Sequence, residues 1–136
     1  MDNKLIVRRF LEDILNTGDI SEIGKYVSDD YEEVHEGVRY KLGIEGARDH
    51  ILGIRKVYPD LKLTIDHQIS EGEWVATCYL VKGTFQNEWL GMKPTGKEIA
   101  YTGVNVDRIV DGKILEHGGA ANLLGPLIDS GTLVKK

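Results

Sequence analysis

A chain of 136 residues with 41% hydrophobic and 29% charged side chains has enough apolar surface for one core and is not intrinsically disordered. Its formal net charge of −5 and pI near 5.3 argue against nucleic-acid binding driven by phosphate attraction. One cysteine, Cys78, excludes an internal disulfide and a cysteine-rich zinc module, and no stretch reads as a membrane span or a signal peptide. The expectation is a soluble, cytoplasmic protein that binds neither nucleic acid nor membrane.

Ile6, Val7, Phe10, Leu11, Ile14 and Leu15 recur at helical spacing over about 3–16, with Asp2 or Asn3 to cap and Gly18 to stop. A second short helix is expected after Ser21, with Ile23 and Val27 inward. Residues 30–35 read as a brief strand and 36–44 as a Gly-punctuated loop. A third helix is predicted from Glu45 to Tyr58, ended by Pro59. The period then changes to two. Leu61, Leu63, Ile65, His67 and Ile69 alternate with polar residues, the pattern of a strand buried on one face. A turn at 71–73 leads into Trp74–Phe85, apolar on both faces and so predicted to be central. A connection over 86–96 carries Trp89, Leu90 and Met92. Strand 97–109, the hairpin signal Asp111-Gly112, strand 113–121 and an apolar tail from Leu123 to Ile128 complete the chain. Helices first and a strand meander after imply a single α+β domain over 1–136, with the helices on one face of a curved, mostly antiparallel sheet.

Five pieces occur in order: Tyr58-Pro59-Asp60-Leu61, Gly83-Thr84, Gly91-Met92-Lys93-Pro94-Thr95-Gly96-Lys97, Arg108, and Asp111-Gly112-Lys113-Ile114-Leu115-Glu116-His117. Together, over about residues 5–130, they resemble the SnoaL-like polyketide cyclase family of the NTF2-like superfold. The resemblance implies a cone, a strongly curved sheet wrapped around three N-terminal helices, with a ligand pocket in its mouth and a homodimer formed through the outer sheet face. It also implies an intramolecular aldol ring closure with neither metal nor organic cofactor. The family's acid/base aspartate falls on Asn122 here, its Trp after the GKILE stretch on Gly118, and its His after Gly-Thr on Phe85. The position often His or Asp in the 101–108 strand is Asn105, and His35 stands where the family often places a His near the pocket.

The candidate residues follow from chemistry. Asn122 cannot take a proton near neutral pH but could hold a carbonyl or enolate oxygen; the bland alternative is a turn or cap residue. Asn105 and Asp107 share a strand face with Tyr101. Facing the interior, Asp107 is a candidate base; facing out, it is a surface ion-pair partner. Only one of Glu116 and His117 can face the pocket, and the resemblance favours Glu116, as an interior acid or as a structural partner of Arg108. His35 is the best neutral-pH base candidate, His67 reads as a sheet or dimer-interface histidine, and His50 borders the third helix's apolar stripe. Trp89 and Met92 either cover a pocket mouth, plug the core or meet a dimer partner. With Tyr79, Tyr101, Asn105 and Glu116 they make up the expected ligand-contact set. Cys78 reads as a buried small hydrophobe. No metal-ligand spacing or phosphate-binding glycine pattern is present. Two readings stand: cofactor-independent acid/base chemistry on a small hydrophobic carbonyl compound, with His35 or Asp107 as base and Asn105 and Asn122 on the oxygen; or a pocket that binds such a ligand without turnover. A scaffold whose dimer interface is its function is a third.

Overall fold

A computed structural model describes residues 2–133. Helix α1 (Asn3–Arg9) starts at Asp2, whose carboxylate accepts the Lys4 amide at 2.8 Å. It runs into a π-helical segment, Phe10–Leu15, and Ile6, Val7, Leu11 and Ile14 form one buried stripe. A single 3₁₀ turn, Ile23–Lys25, stands where a second helix is predicted. Val27 already opens strand β1 (Val27–His35), longer than the predicted 30–35.

The predicted loop 36–44 holds a strand instead, β2 (Val38–Lys41). Glu36 and Gly37 both take left-handed backbone, φ +53° and +79°, as a two-residue turn matched to strand twist requires. Val38 and Tyr40 then alternate with Arg39 and Lys41. Helix α2 (Gly43–Val57) follows and buries Ala47, Ile51 and Val57; Tyr58 is extended, as a residue before proline prefers.

Strands β3 (Lys62–Glu71), β4 (Trp74–Thr84), β5 (Glu98–Val110) and β6 (Lys113–Asn122) form an antiparallel meander, and a short helix α3 (Leu124–Asp129) occupies the apolar tail. The six-stranded sheet has the order β2-β1-β6-β5-β4-β3, and β1 joins β6 in parallel. Strand β4 is interior, between β3 and β5. The single buried face predicted for β3 needs correction. The register slips by one between Ile65 and His67, so Leu63 faces the core while His67 and Ile69 pair with Cys78 and Ala76 on the outer face. A bulge inserts one unpaired residue, so the alternation inverts beyond it and the strand bends. Further shifts in β1 and at Arg108/Ile109 add to the curvature.

The helices lie in the concavity. Two polar side chains lock them there. The Asn16 amide donates to the Leu63 carbonyl at 2.9 Å and accepts its N–H at 2.7 Å, as a neighbouring strand would. The Arg55 guanidinium donates to the carbonyls of Leu15, Asn16, Leu61 and Pro59 at 2.7–3.2 Å, joining the ends of both helical segments. Among the described residues no helix is long and apolar enough to cross a membrane.

Candidate functional site

Between the helices and the concave face lies a cavity of about 120 Å³. Strand alternation places Tyr101, Gly103, Asn105 and Asp107 of β5 inward, with Tyr79 of β4 opposite Gly103 and His117 of β6 opposite Asp107. Phe10, Leu11 and Leu15 close it from one side and His50, Ile51 and Ile54 of α2 from another. The wall is mostly apolar, and its polar groups gather near Asp107.

Two carboxylate–histidine pairs stand there. The His117 Nδ1–H donates to Asp107 Oδ1 at 2.7 Å, which fixes the tautomer and leaves Nε2 free. Asp107 is buried, and His117 exposes a fifth of its side chain. In the second pair the His50 Nδ1–H donates to Glu33 Oε2 at 2.8 Å. The two imidazoles meet edge to face, 6.0 Å between centroids. Glu33 is buried and takes two further donors, the Tyr31 hydroxyl at 2.9 Å and His35 Nε2–H at 3.1 Å.

Burial works against the Glu33 carboxylate, yet the bond and charge of His50, with the bonds from His35 and Tyr31, outweigh it and bring the group down to about 2. For His117 burial pulls down, but the Asp107 charge and hydrogen bond and the more distant Glu33 charge leave it raised. The Tyr31 hydroxyl is pushed up by burial and then by the Glu33 charge, so it stays a donor. Burial likewise raises Tyr79 and Tyr101, whose rings meet edge to face at 6.5 Å.

The structure separates the candidates into three groups. Tyr79, Tyr101, Asn105 and Asp107 line the cavity; His35, expected as its base, does not, and lies half-exposed with its Nε2–H given to Glu33. Trp89 and Met92 pair as a small hairpin and pack on the core, but neither lines the cavity. Glu116 and Asn122 are corrections. Glu116 pairs with Arg108 across the strands and lies on the outer face, buried beneath Arg39 and Arg108. Asn122 pairs with Thr102 and lines an outer groove with Cys78, Leu80 and Val104. Both sit an odd number of residues from His117, so the pleat turns them away from the cavity.

Glu33, His50, His117 and Tyr31 are the polar groups that sequence reasoning missed. His117 was legible: if Asp107 faces inward, its register partner must too. Glu33 had only the alternation Tyr31, Glu33, His35 to mark it. Among the described residues no three His, Cys, Asp or Glu side chains are grouped to hold a metal ion.

The model of a family described as SnoaL-like polyketide cyclase matches residues 5–129. No curated protein matches the sequence. Solved structures do. AclR from Streptomyces galilaeus, a proposed hydroxylase, is 28% identical, with 98% of this chain and 87% of that one covered and a TM-score of 0.82. TsrD from Streptomyces laurentii is 25% identical over 96% of this chain and 95% of its own, at a TM-score of 0.84. A SnoaL-like polyketide cyclase from Agrobacterium tumefaciens, 20% identical over 90% and 92%, has the same fold at a TM-score of 0.79.

Proposed function

Because this chain belongs to the SnoaL-like polyketide cyclase family and has the NTF2-like cone, we propose that it is an acid/base enzyme acting on a small hydrophobic carbonyl compound with an acidic α-hydrogen. The observation that carries this reading is the Asp107–His117 pair, buried at the cavity wall with one imidazole nitrogen free. A histidine held by a carboxylate is a suitable base near neutral pH.

In this scheme His117 Nε2 takes the α-hydrogen as a proton, and its electron pair moves onto the carbonyl oxygen as an enolate. The Asn105 amide, on the cavity wall, is the donor available to that oxygen. In an aldol closure the enolate carbon then bonds to a second carbonyl carbon of the same molecule. The resulting alkoxide recovers the proton from His117, so no proton is gained or lost. In isomerisation the proton returns to a different carbon. The side chains named supply every proton these steps need.

The test is deuterium wash-in from heavy water on a panel of β-keto esters, read by mass spectrometry. Wild type is expected to exchange the α-hydrogen well above buffer and His117→Ala to return to the buffer rate. Saturable ester binding with exchange no faster than buffer would replace the catalytic reading by ligand binding alone.

We also propose that the outer sheet face binds a second copy of the chain. Ile69, Trp74, Val104 and Val106 are exposed there as neighbours in register, an apolar surface larger than scattered single residues make. The free thiol of Cys78 on the same face fits a reducing compartment such as the cytoplasm.

A further inference from the structure

A cavity of about 120 Å³ is small for a ligand site. Pockets that enclose a drug-sized molecule run to ~300–1,000 Å³, and an apolar cavity of ~150 Å³ is filled by one benzene ring. A ligand larger than one small ring can therefore insert only its end, and the remainder must leave past the residues at the opening.

Of the residues lining the cavity His50 is the most exposed to solvent, and His35 stands beside it. Both touch Glu33 at the inner end, and their side chains are 44% and 53% exposed at the other. Beyond them the concave face continues. Strand β2 pairs with β1 so that Tyr40 lies opposite Glu33 and Val38 opposite His35, on the same side of the sheet as the cavity. The Tyr40 ring sits 5.8 Å from the His35 ring. Arg39 and Lys41 point to the other side. Strand β2 thus has the sequence pattern of a strand with one face to bury, yet Val38 is 51% exposed and Tyr40 45%.

We propose that the concave face of the β1–β2 hairpin, Val38 and Tyr40 beside His35, is an outer subsite for the apolar body of a ligand whose carbonyl end occupies the cavity. The identity of the inserted end rests on the acid/base reading; the subsite itself rests on the cavity's size and the register of β2. The Tyr40 ring supplies a flat apolar surface and Val38 a second contact further out.

The experiment compares methyl acetoacetate, short enough to be enclosed, with methyl 3-oxodecanoate, whose chain must extend beyond His50. Calorimetry gives affinity and deuterium wash-in gives turnover, for wild type and for the Val38→Ser/Tyr40→Ser variant. Thermal unfolding verifies that the variant is folded. Wild type is expected to bind the long ester at least tenfold more tightly than the short one, which burial of roughly two methylene groups supplies. The variant is expected to lose that ratio. Equal affinity for both esters in wild type, or a ratio that survives in the folded variant, overturns the proposal. The two readings fail separately. A length ratio that depends on Val38 and Tyr40, without exchange on either ester, keeps the subsite and ends the acid/base reading; exchange with no length preference does the reverse.

Discussion

Glu33 is buried and His117 partly so, both are titratable, and their partners shift them in opposite directions. Asp107 helps raise His117 above its ordinary 6.5, so the proton-accepting neutral imidazole prevails only at higher pH. Exchange should therefore climb with pH through a midpoint above that value. Asp107→Asn removes the main raising influence and leaves burial, so the midpoint should move down, while the rate at saturation falls because the tautomer is no longer fixed. A pH–rate profile from about pH 5 to 9 reads both; an unmoved midpoint would free Asp107 of this role. His117→Ala should lower exchange by ~10²–10⁴-fold. Because its folded value is raised, His117 also stabilises the fold below 6.5 and loses that contribution as pH rises through the folded value. Glu33 acts the other way. Its drop from 4.5 to about 2 gives stability that is present above 4.5 and lost as pH falls toward 2, on the order of 3 kcal/mol. Urea titrations at several pH values should show this acid limb in wild type and a flatter one in Glu33→Gln. The same slope in both proteins would mean that Glu33 is not the group responsible.

At the scale of elements, irregular strand geometry decides which side chains reach the cavity. Gly119 holds φ +143° in β6, and a Cβ there would run into the Val104 carbonyl oxygen, a backbone atom that cannot swing aside. Gly119→Ala should therefore cost roughly 1–3 kcal/mol and lower the thermal midpoint by several degrees. A midpoint unchanged in calorimetry would show that β6 can relax there. Helix α1, helix α2 and the meander from β3 to β6 were legible because their periods of about 3.6 and 2 run long enough to be distinct. The Asp111-Gly112 turn was legible because both residues tolerate the left-handed backbone they adopt, φ +51° and +75°. Glu36-Gly37 makes the same turn, yet glutamate is not a typical residue at that conformation, so β2 read as loop. The bulge at Asp66 left no mark in the alternation it inverts, and His67 and Ile69 therefore read as sharing one face with Leu63. The candidate site was legible in part. Strand phase puts Tyr101, Asn105 and Asp107 on one face without saying which way it points, whereas Glu33 and His50 meet only because α2 packs on β1, which local pattern does not encode. Glu116 and Asn122 were taken from the resemblance and not from the phase, and the register puts both on the other face.

For the whole molecule, the outer face makes the clearest prediction. Sedimentation should give twice the 15.2 kDa chain mass, and Val106→Arg, which sets a charge amid exposed apolar neighbours, should give the monomer. A monomeric wild type would end the dimer proposal. The parallel seam between β1 and β6 has a different consequence, in time. Val27 and Val34 pair with Ile114 and Gly118, so the first strand to emerge during synthesis finds its partner only in the last. Closing so long a stretch of chain is entropically unfavourable and slow. The Glu33–His50 half of the site comes from β1 and α2, neighbours in sequence, whereas His117, opposite Glu33, comes only with β6. A nascent chain halted before residue 113 therefore carries an unsealed sheet edge along β1 and half a site. Completing the polar cluster and closing the cone are one event.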